Sequence, residues 1–323
     1  MKKKKITLNK DAQRAIDILT NLKKKKKIKN IELMDHLDAR KQFKKIKKIL
    51  SKKKINALQW IKNYEINGMK LRHYRAKSNC EKKIMPIMLF FHGGGWVIGD
   101  IETHDSACRR LVNNASYDII SVDYRLAPEH PFPSALIDCT KALIWIKKNA
   151  RHLKLDSNKI ILCGDSAGGN LAAVLAILNK RQYKFNIIAQ ILIYPVISFN
   201  ENHFSKDKYD GILVSKILIR WFENHYCSIE NKSKIKSDWM LSPIKYKNLT
   251  GLPPSLIALA SCDPLYDEGL KYYKALKKSE NIVKKLVFKG QVHGFFTMDA
   301  VIEDSAKLDN VIKNYLKKLL NDS

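Results

Sequence analysis

The chain has 323 residues, 45% of them hydrophobic, enough to bury a large core in one big α/β domain or two smaller ones. Its formal charge is +29, but lysine far outnumbers arginine. The lysine clusters at 2–5, 23–27 and 44–54 carry neither arginine forks nor stacking aromatics, so a solvated surface is expected and no nucleic-acid partner.

Met1-Lys2-Lys3-Lys4-Lys5 looks like the charged start of a secretory signal, but polar residues break Ile6 to Asp11 before an apolar segment forms. A cytoplasmic location is therefore expected. Residues 1–54 read as two amphipathic helices: Ala12, Ala15, Ile16, Leu19 and Leu22 share one face, and Leu33, Leu37, Phe43, Ile46, Ile49 and Leu50 roughly share another. From residue 55 short apolar runs alternate with helical stretches, the pattern of an α/β sheet. Strands are expected at 87–91, 119–123, 159–163, 187–196, 256–260 and 285–288, with helices at 135–153, 170–178 and 302–320. Residues 198–245 are polar, lack strong strands and contain a helix-like run from Val214 to Tyr226, which reads as an insertion. The longest apolar stretch, Ile187 to Ile197, is about half a bilayer span and includes Gln190 and Pro195, so no transmembrane segment is expected.

The six cysteines, at 80, 108, 139, 163, 227 and 262, form no CxxC pair, so a zinc ribbon or thioredoxin-like site is not supported. Cys163 and Cys262 read as buried thiols. No HExxH pattern exists, no metal is expected, and the absence of any Gly-Lys dipeptide excludes a Walker A loop.

Four segments carry chemistry. Gly164-Asp165-Ser166-Ala167-Gly168-Gly169 sits between a strand and a helix. A strand that turns sharply into a helix while presenting a hydroxyl strains the serine backbone, hence glycines two before and two after it. His92-Gly93-Gly94-Gly95-Trp96 follows another strand, where glycine N–H groups can approach a tetrahedral oxyanion. His92 is expected to hold that loop by hydrogen bonds. Asp263 follows the 256–260 strand and is preferred over its neighbours Asp267 and Glu268 as the acid, because it lies closest to the strand end. His293 lies on a glycine-flanked loop after the 285–288 strand and suits a general base. His104 and His130 read as loop residues with packing roles. Trp96, Phe295 and Phe296 either line a substrate pocket or belong to the core.

The order Ser…Asp…His, with an upstream glycine loop, is that of α/β-hydrolases. His92-Gly93-Gly94-Gly95-Trp96, Gly164-Asp165-Ser166-Ala167-Gly168-Gly169, Asp123-Tyr124-Arg125-Leu126-Ala127-Pro128-Glu129-His130-Pro131-Phe132-Pro133, Asp263 to Gly269 and His293-Gly294-Phe295 together resemble the hormone-sensitive-lipase-like esterase family, over about residues 55–320. The resemblance implies an α/β-hydrolase fold: a mostly parallel central sheet flanked by helices, with a helical cap. It implies a catalytic domain over 55–323, and a cap built from 1–54 and the 198–245 insertion. It implies Ser166, Asp263 and His293 as catalytic residues, Gly93, Gly94 and Ala167 as the oxyanion hole, and Trp96, Phe295 and Phe296 as substrate contacts. The implied activity is hydrolysis of short-chain acyl esters, acetyl to octanoyl, without a cofactor. A small-molecule ester is the expected partner, and a homodimer is compatible with the sequence. An amidase or deacetylase acting on N-acyl or arylamide substrates uses the same triad. A non-catalytic small-molecule binder keeps the same fold, but the presence of His293 argues against it.

Overall fold

The computed structural model describes residues 6–52, 58, 60–79, 84–227 and 238–321. Among these, eight strands form one sheet in the order β1-β2-β4-β3-β5-β6-β7-β8. They are β1 (Trp60–Ile66), β2 (Met69–Arg75), β3 (Met85–Phe91), β4 (Asp118–Asp123), β5 (Leu155–Asp165), β6 (Ile187–Ile193), β7 (Ser255–Cys262) and β8 (Val283–Val292). β1 pairs antiparallel with β2 and β2 with β4; every other pairing is parallel.

Parallel strands need helical crossovers, and these cover both faces. The helices are α1 (Lys10–Lys24), α2 (His36–Leu50), α3 (Ile101–Val112), α4 (Ser134–Leu153), α5 (Ala167–Leu178), α6 (Phe204–Lys208), α7 (Lys216–Tyr226), α8 (Tyr266–Lys278) and α9 (Asp304–Asn321). Alternation along the strands divides the core in two. Ile87, Leu89 and Phe91 pack with α4 and α5 on one face. Met88 and Phe90 pack with α1, α3 and α9 on the other.

The expected strands and helices are present, with instructive differences at their ends. β6 stops at Ile193 rather than continuing to Val196: Tyr194 takes φ 34° and Pro195 has no N–H to give. The helix expected from Asn170 already starts at Ala167. β8 is longer than expected, because an edge strand tolerates Lys284, Lys285 and Lys289 in its middle. The β1–β2 hairpin was not anticipated, although Asn67 (φ 49°) and Gly68 (φ 82°) form the Asn-Gly turn that favours it. His104 is not a loop residue but lies buried on α3, whose start is fixed by an Asp100–Thr103 capping box.

Five cysteines (108, 139, 163, 227 and 262) are buried free thiols; Cys80 lies outside the described residues. No helix among the described residues is long and apolar enough to cross a membrane.

The N-terminal helices clasp the chain that follows β8. Asn9 N donates to Gly290 O (2.9 Å), and Gln291 Nε2 donates to Asp11 Oδ1 (2.9 Å). From α2, Leu50 O accepts from Ala300 N (2.9 Å), and the Ser51 hydroxyl just beyond it donates to Thr297 O (3.2 Å).

Candidate active site

β5 ends directly in the turn that presents Ser166. The serine backbone is held at φ 54°, ψ −117°, a region that L-residues avoid. Three backbone hydrogen bonds hold it there: Ser166 N donates to Ile193 O (2.8 Å), and Ser166 O accepts from Asn170 N and Val196 N (both 3.1 Å). The flanking glycines are steric requirements. A Cβ on Gly168 would lie 1.9 Å from Phe91 O, and one on Gly164 would lie 2.3 Å from Gly168 O.

The structure brings Ser166, His293 and Asp263 into one line. His293 Nε2 is 2.9 Å from Ser166 Oγ, and His293 Nδ1 is 2.8 Å from Asp263 Oδ2. Asp263 is buried at the end of β7, and its other oxygen accepts from Leu265 N (2.8 Å). Burial alone would lower the His293 pKa; the charge and hydrogen bond of Asp263 outweigh it and raise the pKa above its ordinary value. The rival carboxylates are committed elsewhere: Asp267 accepts from Ser205 N (2.7 Å) and Glu268 from Ile197 N (2.7 Å).

The glycine loop corrects one expectation. Gly93 N–H is not free for an oxyanion, because it donates to Asp165 Oδ1 (2.8 Å). That carboxylate also faces His104 Nε2 (3.2 Å). Burial opposes its charge, but His104, Lys47 and the Gly93 N–H together hold the Asp165 pKa below the ordinary value. Asp165 is thus a clamp between the glycine loop and the serine turn. Gly94 (φ 122°) and Gly95 (φ 59°) border the same cavity as Ser166, and among the described residues their N–H groups make no hydrogen bond. Ala167 opens α5, so its N–H has no acceptor within the helix. Among the described residues, the N–H groups of Gly94, Gly95 and Ala167 near Ser166 thus carry no hydrogen bond.

His92 braces the loop as expected. Its Nδ1 donates to Gly93 O (2.9 Å), its ring stacks on Tyr124 (4.2 Å, 10°), and burial pushes its pKa down to about 4. Tyr124 OH donates to His92 O (2.6 Å), which fixes the strand end.

A cavity of about 200 Å³ lies over the serine. Its wall is largely apolar: Leu19, Phe43, Ile46 and Leu50 come from α1 and α2, and Leu218, Ile219 and Phe222 from α7. Trp96 also lines it, stacked on Tyr226 (4.3 Å). Phe295 and Phe296 do not. Gly294, at φ 80°, turns the chain after His293 so that both rings enter the core. Phe295 packs on Phe288 (4.8 Å), and Phe296 lies under the Arg110 guanidinium (5.4 Å).

Sequence reading passed over Asp165 and Lys47, and gave His104 only a packing role on a loop. Asp165 stands inside the serine motif, so a signal for it existed. Lys47 is one lysine in a lysine-rich helix, and only its spacing from Phe43 and Leu50, four and three residues away on the same face, sets it apart.

A protein-family model described as alpha/beta hydrolase fold matches residues 88–297. The carboxylic ester hydrolase LipN of Mycobacterium tuberculosis is 35% identical, over 77% of this chain and 67% of its own. The ethyl acetate hydrolase of Pseudomonas putida is 32% identical, over 73% of this chain and 74% of its own. Among solved structures, an esterase of the archaeon Pyrobaculum calidifontis superposes with a TM-score of 0.82 at 34% identity, covering 89% of this chain and 94% of its own. An ester-hydrolase from the Lake Arreo metagenome, complexed with a bipyridine phosphonate derivative, superposes with a TM-score of 0.91 at 29% identity, covering 97% of this chain and 99% of its own. With these matches and the geometry above, the chain belongs to the hormone-sensitive-lipase-like esterase family of the α/β-hydrolase fold.

Proposed function

We propose that the protein is a serine carboxylesterase that hydrolyses short-chain acyl esters, acetyl to octanoyl, through an acyl-enzyme on Ser166. The observation that carries this reading is the continuous line from Ser166 Oγ through His293 to buried Asp263, with contacts of 2.9 and 2.8 Å. His293 Nε2 takes the hydroxyl proton as Ser166 attacks the ester carbonyl. The oxyanion is received by the N–H groups of Gly94, Gly95 and Ala167. His293 then gives its proton to the leaving alcohol, and afterwards activates the water that releases the acid. Asp263 keeps Nδ1 protonated and stabilises the imidazolium.

Space limits the acyl chain. A cavity of about 200 Å³ suits a short acyl group. The names of two relatives, an ethyl acetate hydrolase and an arylesterase, support small esters. Residues 1–54 and 198–245 act as the cap: α2 and α7 both supply side chains to the cavity roof.

The test is hydrolysis of p-nitrophenyl acetate, butyrate, octanoate and palmitate by wild type and Ser166→Ala. Activity falling with chain length, and a loss of about 10⁶ in kcat for the variant, is expected. Activity rising toward palmitate overturns the short-chain reading. A variant that keeps a tenth of wild-type turnover overturns the role of Ser166.

A further inference from the structure

Lys47 is the odd side chain in the apolar wall above the serine. It is 8% exposed, and it lines the cavity beside its helix neighbours Phe43, Ile46 and Leu50. Its ammonium donates to Thr297 Oγ1, and that hydroxyl donates to Gly294 O (3.1 Å), one residue beyond His293. The Phe43 ring lies 5.0 Å away.

The other charged groups at the cavity are engaged. Asp165 holds Gly93 and faces His104. Glu223 accepts from Asn200 N (2.8 Å), and Lys206 lies 3.3 Å from buried Glu268. Among the described residues, Lys47 is the cavity cation that forms no ion pair. An ammonium has three N–H donors, and among the described residues Thr297 Oγ1 is the acceptor that meets one of them. Taking such a charge out of water is unfavourable unless an opposite charge joins it. Burial pulls its pKa down to about 8, against Asp165 and Asp299, so it remains a cation at neutral pH.

We propose that Lys47 is an anion-binding subsite of this cavity, and that the preferred esters carry a carboxylate on a short acyl chain. Such a chain, lying along Phe43, Ile46 and Leu50, passes the ammonium that interrupts that wall. The substrate class is the half-ester of a short dicarboxylic acid. This rests on the ester-hydrolase reading above. Lys47 selects the substrate and takes no part in proton transfer.

The experiment compares monomethyl succinate and monomethyl glutarate with methyl butyrate and methyl valerate, which match them in chain length. Acid release is followed in a pH-stat for wild type, Lys47→Met and Lys47→Arg. Wild type is expected to favour the half-esters in kcat/KM by about ten- to a hundredfold, the range of one charge-assisted buried hydrogen bond. Lys47→Met is expected to lose that preference, and Lys47→Arg to retain most of it. A wild-type ratio at or below one, which needs no variant to fold, overturns the proposal. So does a preference that persists in Lys47→Met.

Binding separates this proposal from the reading it rests on. Glutarate is titrated calorimetrically into Ser166→Ala and into Ser166→Ala with Lys47→Met. Binding that disappears with the lysine supports the subsite, even if no ester is turned over. No binding of glutarate to either protein overturns it.

Discussion

The floor and the roof of the cavity are built by different rules. The floor is backbone: a strained serine, glycines that a methyl group would displace, and N–H groups aimed by α5 and the glycine loop. The roof is side chains from α2 and α7, in which Phe222 and Lys47 fill positions the helix backbone leaves open to any residue. Where backbone geometry allows one residue type, the chemistry is written into short motifs. Where it allows many, selectivity can change without touching the reaction.

The largest effect after loss of the serine itself is expected on the floor. Asp263→Asn leaves the geometry but removes the charge that orients His293, and kcat should fall by about 10⁴. The same substitution has a pH signature. The base must be neutral to accept the serine proton, so kcat/KM of wild type declines as pH falls through a His293 pKa that Asp263 holds above its ordinary value. Without that carboxylate the acid limb moves to lower pH, and a profile from pH 4 to 9 with each protein checks this. An unmoved limb means that another group sets it.

The next effect is on the framework of the floor. In Gly168→Ala the new methyl would lie 1.9 Å from Phe91 O, a backbone atom that cannot swing aside. A loss of about 3 kcal/mol or more in urea unfolding is expected, or no folded protein at all. A well-folded Gly168→Ala of wild-type stability would break the claim that sterics alone dictate this glycine.

The smallest effect belongs to the roof. Phe222 borders the cavity and sits where a Cβ on Gly95 would lie 2.2 Å from its ring. Phe222→Ala is expected to raise the octanoate-to-acetate ratio of kcat/KM by about tenfold, the worth of a few buried methylenes. An unchanged ratio would mean that another wall sets chain length.

This division also explains what could be read from the sequence. Ser166, Asp263 and His293 stood out because each follows the end of a strand, Ser166 and His293 also close to a glycine, and the structure brings the three together. Gly93 was misread because a glycine motif says where backbone can approach, but not which way each N–H points; Asp165 decided that. Phe295 and Phe296 follow His293 in sequence, yet the left-handed Gly294 sends them into the core. Lys47 had a positional signal, since it lies four residues after Phe43 and three before Leu50 on the apolar stripe, unlike Lys44, Lys45 and Lys48, but a lysine there was taken for surface. The Asn67-Gly68 hairpin had a local signal that was passed over.

The clasp between the N-terminal helices and the chain after β8 sets an order of events during synthesis. Asn9 meets Asp304 across 295 positions, and Lys47 meets Thr297 across 250. A ribosome therefore releases α1 long before it makes the chain after β8 on which that helix docks, whereas α2 meets Val97, Ala127 and Glu129 through Arg40 much earlier. Until then the apolar stripe of α1 lacks that partner and is open to chaperones. His293, the proposed base, meets Ser166, the proposed nucleophile, across 127 positions, so on that proposal a nascent chain carries the serine well before it can use it.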